Sequence, residues 1–140
     1  MPDEDDEVCP GEKISQSPDH SPGLVLCEEE LARLVWYPGH IGDDGRLTPG
    51  AISKDDLRKR GFSLNRLAHA NLDALEKHGE ARAEKLGQEF RGMCVAICRD
   101  VRNAQQREPV QRAFCVRDTA TESDKSHADI VRAVGENKTF

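Results

Sequence analysis

Residues 70–102, ANLDALEKHGEARAEKLGQEFRGMCVAICRDVR, change period partway along, and that change sets the fold class. Up to residue 90 the apolar positions recur at helical spacing: Leu72, Leu75, Leu86 and Phe90, with Ala81 and Ala83 as small neighbours. Asn71 stands where an N-cap belongs. Gly79 lies inside the pattern and costs about 1 kcal/mol relative to Ala, so a kink or break is expected there. From residue 91 the period falls to two. Met93, Val95 and Ile97 point one way, and Cys94, Ala96 and Cys98 the other. Residues 91–102 therefore read as a strand, and a strand apolar on both faces reads as central.

Upstream, residues 30–37 (ELARLVWY) read as a first body strand, ended by Pro38-Gly39. A turn-rich stretch follows, with Asp43-Asp44-Gly45 and Thr48-Pro49-Gly50 as turn signals. Ser53 with Asp56 three residues on forms a capping-box variant for a short helix over 54–59, closed by Gly61. Phe62, Leu64 and Arg66 then share one face of a short strand. Downstream, Arg107-Glu108-Pro109 forms a turn, and residues 110–116 (VQRAFCV) form another strand. A polar loop covers 119–126. Residues 127–134 (HADIVRAV) read as a C-terminal helix, capped by Ser126 or Asp124 and stopped by Gly135. The expected fold is α+β: a small, mostly antiparallel sheet of three to four strands with one long helix and two short helices.

The net charge of -6 is unevenly placed. Residues 1–30 hold ten acids against one base, Lys13, while the other 110 residues hold 19 bases and 16 acids. Residues 1–22 carry too little apolar area to offset the entropy of ordering, which predicts a disordered or loosely docked acidic tail. Residues 23–140 are then a single α+β domain with a mildly basic body. No apolar window is long enough to span a bilayer, and the acidic N-terminus does not resemble a secretory signal. Five cysteines without such a signal read as reduced thiols of a cytoplasmic protein.

Metal and cofactor motifs are missing. Cys94 and Cys98 are spaced CxxxC without a second pair, and read with Cys115 as buried small hydrophobes. His127-Ala128-Asp129 resembles the H-A-E opening of zinc nucleobase deaminases, but no Cys follows to complete the zinc site. Neither GxGxxG nor GxxxxGK[ST] occurs, so no cofactor is expected. The bases at 58–60 lack aromatic partners for stacking, which makes nucleic acid a weak expectation.

His40 and His127 are the candidate catalytic residues, and Arg46, Arg58 and Arg66 the candidate anion ligands. The sequence supports a small accessory or binding protein whose basic body recognises an acidic protein partner or an anionic small molecule, with the acidic tail competing for that surface. The alternative is a small enzyme acting on a phosphoester or nucleotide-type substrate, with His40 and His127 as acid and base and Arg66 as the clamp. A third reading is a homo-oligomer joined through a sheet edge or the long helix.

Overall fold

The computed structural model describes residues 8–107 and 110–133. Residues 1–7, the Glu108-Pro109 part of the expected turn, and the expected helix stop at Gly135 lie outside the described residues. The fold is α+β. Strand β1 (Glu30–Tyr37) pairs with β2 (Phe62–Arg66) and with β3 (Glu89–Ile97). Strand β7 (His127–Arg132) joins β2 to β6 (Phe114–Asp118), giving an antiparallel sheet of order β3-β1-β2-β7-β6. Strands β4 (Gln105–Arg107) and β5 (Val110–Arg112) form a separate two-stranded ribbon. Helix α1 (Leu72–Leu86) packs on one face of the sheet, and the short helix α2 (Cys98–Asn103) follows β3. Among the described residues, no helix is long and apolar enough to cross a membrane.

Local chemistry explains the elements that match expectation. Asn71 caps α1 by accepting from the N–H of Ala74 at 3.1 Å, and left-handed Gly87 closes it. Ser53 Oγ accepts from the N–H of Asp56 at the wide helical turn Asp56–Arg60, which ends at Gly61 with φ +92°. Gly79 does not break α1. Its carbonyl accepts from Trp36 Nε1 at 2.9 Å, and a Cβ there would stand 2.4 Å from the Phe90 ring. The glycine allows α1 to sit close on β1 and β3, with Leu75 and Ala83 beside it against Leu34 and Trp36. Leu72 and Leu86, expected in the buried stripe, are exposed.

Four expectations are corrected. First, β3 is an edge strand rather than a central one, and Met93, Val95 and Ile97 are exposed on it. Apolarity on both faces cannot tell an edge that is partly covered by a helix from a strand with two neighbours. Second, residues 127–132 are a strand. Ala128 is fully buried against Leu64, and pairing to both β2 and β6 overrides a segment compatible with helix. Third, the strand expected over 110–116 divides into β5 and β6.

The fourth concerns residues 8–22, which are not loose. They run as a strap along β6, where Cys9 is bridged to Cys115 with Cα atoms 5.5 Å apart. Glu12 accepts from Arg112 at 2.6 and 2.9 Å, from Arg102 at 3.1 Å and from the N–H of Val116 at 2.8 Å. Ser15 and Ser21 both donate to Asp118. The disorder argument weighed apolar area, whereas this segment is held by a crosslink and charge-assisted hydrogen bonds. The bridge also overturns the reading of Cys9 and Cys115 as reduced thiols; Cys27, Cys94 and Cys98 are free.

Candidate functional site

The α1 side of the sheet is only half covered. Helix α1 lies over β3 and β1, and a cleft of about 950 Å³ opens between the helix, the bare surface of β2 and β7, and the 119–126 loop. Four of the five histidines line it: His40, His69, His78 and His127. Two arginines, Arg33 and Arg82, line it as well.

Each of these side chains has a local reason for its place. Helix α1 carries two stripes. Leu75, Gly79 and Ala83 face the sheet, while Asn71, His78 and Arg82 face the cleft. Arg33 stands on β1 just beyond the last pairing of β1 with β2, at Ala32 and Asn65. Its guanidinium enters the gap, donates to the Ser63 carbonyl at 3.2 Å and covers the Phe62 ring at 4.7 Å. Arg82 lies 5.8 Å over the Trp36 ring. His40 folds back so that its ring meets Trp36 edge-on at 5.5 Å, and its N–H donates to the Trp36 carbonyl.

The electrostatics of this end are one-sided. Burial holds His40 below the ordinary histidine value, and the positive charges of Arg33 and Arg82 push it further the same way. Arg33 is itself lowered, by burial first and also by Arg82, against an opposing pull from Asp56. No carboxylate among the described residues lies within ion-pair distance of Arg33 or Arg82. His40 Nδ1 and Arg33 Nε are buried without a hydrogen-bond partner. A buried polar atom left unpaired is costly.

The other end is built differently. Asn65 Nδ2 donates to Asp124 at 3.0 Å and to Ser126 Oγ at 2.8 Å, and Ser126 Oγ donates to Asp124 at 2.5 Å. His127 Nδ1 lies 2.7 Å from Thr119 Oγ1 and 3.1 Å from the Thr119 carbonyl. The carbonyl contact is a hydrogen bond in the tautomer that carries the hydrogen on Nδ1, which leaves Nε2 as an acceptor.

The five residues singled out in the sequence have different fates. His40 and His127 line the same cleft. Ala32, Asn65 and His127 form one row across the sheet. Trp36, whose ring meets His40, is four residues further along β1, so about 16 Å separates the backbone positions of Trp36 and His127 at ordinary strand spacing and rise. Two groups acting on one bond must each come within hydrogen-bond reach of it.

Arg66 does not reach the cleft. It is 1% exposed and grips Glu29 through Nε at 2.8 Å and Nη2 at 2.7 Å. It also donates to the carbonyls of Gly23 and Leu24 and lies 3.5 Å from Asp118. Arg46 is exposed in the loop after β1, outside the cleft. Arg58 is exposed on the wide turn and borders a separate shallow depression with Lys54.

The residues that replace them, Arg33 and Arg82, left two signals. A lone charge interrupts the apolar run of β1, and His78 and Arg82 are one helical turn apart. Among the described residues, no group of three or more His, Cys, Asp or Glu is placed to hold a metal ion. In comparisons with known proteins, no family model, no curated protein and no solved structure matches the chain.

Proposed function

We propose that the chain binds an anionic small molecule in the cleft between α1 and the β2–β7 surface. The observation that carries this reading is the convergence of Arg33 and Arg82 on His40 with no carboxylate within ion-pair distance among the described residues. An anion there would offset the mutual repulsion of the two guanidiniums and supply partners for His40 Nδ1 and Arg33 Nε. Binding is favoured over catalysis by a His40–His127 pair because of the distance between the two ends. It is favoured over an acidic protein partner because Arg33 and His40 are partly buried in a concave site. The Cys9–Cys115 bridge supports residence in an oxidising compartment over the cytoplasm, where such bridges are rare.

Titration calorimetry with inorganic pyrophosphate at low salt tests the reading. Binding is expected in the unmodified chain, with about a tenfold loss in Arg82→Gln, worth about 1.4 kcal/mol. Arg82 is solvent-exposed, so the fold should tolerate the change within about 0.5 kcal/mol. Equal binding by Arg82→Gln and the unmodified chain would sink the assignment.

A further inference from the structure

The cleft is far larger than a tetrahedral anion, and its two ends ask for opposite things. At the His40 end the groups are cationic or donors. At the other end they are mostly acceptors: the carboxylates of Asp124 and Glu122 and the Nε2 of His127, with Lys125 as a cation on the exposed rim. Asp124 is held in place by three hydrogen bonds, from Asn65 Nδ2, Ser126 Oγ and the N–H of Ser126. An ionised carboxylate offers about four acceptor positions, so one remains for a ligand. Arg33 lies one residue along β1 from the row that contains Asn65, whose amide holds Asp124, so the Arg33 side of the cationic end borders the acceptor end.

Resting on the anion-binding reading, we propose that the ligand is a phosphorylated polyol. Its phosphate sits among Arg33, Arg82 and His40, and its hydroxyls donate to Asp124 and Glu122. A bare anion leaves the acceptor end solvated and gains nothing from it. A neutral sugar leaves the cationic end unpaired. Only a molecule carrying both groups satisfies both ends, and site groups left unpaired by an incomplete ligand discriminate against it.

The test is titration calorimetry on the full chain with inorganic phosphate, ribose 5-phosphate and adenosine 5′-monophosphate at one low ionic strength. Ribose 5-phosphate is expected to bind at least tenfold tighter than inorganic phosphate. Glu122→Gln and Asp124→Asn should each reduce that preference about threefold or more while leaving phosphate affinity unchanged. Glu122 is exposed on the loop, so its variant carries the test even if Asp124→Asn disturbs the loop. Adenosine 5′-monophosphate binding more tightly than ribose 5-phosphate would assign a nucleotide, and weaker binding a sugar phosphate; either supports the proposal. Equal affinity for phosphate and ribose 5-phosphate, or a preference untouched by both variants, would overturn the polyol and leave the anion site standing. No binding of any of the three would remove both.

Discussion

Arginines meet two different fates in this molecule. Along the strap seam, Arg66, Arg102 and Arg112 each lie on a carboxylate: Arg66 on Glu29 and Asp118, the other two on Glu12. In the cleft, Arg33 and Arg82 face one another and a histidine instead. At the seam each guanidinium has a carboxylate of the chain beside it, so the charges there serve to fasten the strap and the segment before β1 to the sheet. At the His40 end of the cleft the chain sets two guanidiniums beside a histidine, with no carboxylate within ion-pair distance of them among the described residues. The same side chain is therefore structural in one region and available in the other, and its partners, more than its exposure, decide which.

The largest effect that would sharpen this contrast is at Arg66. Arg66→Met keeps most of the side-chain volume but strands Glu29 and Asp118 as buried carboxylates. Breaking a buried pair from one side costs about 3–5 kcal/mol, and urea unfolding should show a loss of that size. A loss below about 1 kcal/mol would mean that Arg66 is not a fastening and would break the contrast.

The crosslink comes next. Cys9→Ser should cost about 2–4 kcal/mol, since the bridge ties positions 106 residues apart and closes a long loop in the unfolded chain. The same variant should leave pyrophosphate affinity unchanged, because the strap lies along β6 and does not line the cleft. A parallel loss of binding would show that seam and cleft are one system.

These regions also differ in how far the sequence exposes them. β1, β2 and α1 were legible because alternation, caps and turn residues act within a few positions. β7 was not, because His-Ala-Asp-Ile-Val-Arg suits helix or strand and pairing with distant β2 and β6 decides between them. The strap reads as a loose tail because its fastenings, Cys115, Arg102, Arg112 and Asp118, lie about a hundred residues away, and local composition carries no trace of them. In the cleft, His40 and His127 stood out by residue type. Arg66 also stood out, yet its role turns on Glu29, which sequence alone could not bring to it. Arg33 and Arg82 become visible only once it is known where β1 and β2 separate and which stripe of α1 faces away from the sheet.

The smallest effect, and the most specific to the cleft, concerns protons. Burial and the two arginines hold His40 below its ordinary value, so at pH 7 its ring is neutral. An anion between the arginines favours the charged imidazole, raises its pKa and draws a proton in on binding. By linkage, affinity then rises as pH falls through the histidine range, whereas the free protein gains nothing from charging that ring. Sulfate is the right probe, because it keeps its charge where phosphate titrates. Sulfate affinity should increase several-fold between pH 7.5 and 5.5 in the unmodified chain, and the slope should flatten in His40→Gln. Because the seam carboxylates Glu12 and Glu29 are held below their ordinary values by their arginines and backbone N–H donors, against the opposing pull of burial, they stay ionised through this window. Their contribution to stability is lost only at lower pH, as they are protonated, so the seam pairs are not what changes between 7.5 and 5.5. A pH slope that persists in His40→Gln would place the proton elsewhere, and the other three histidines of the cleft would be the next to replace.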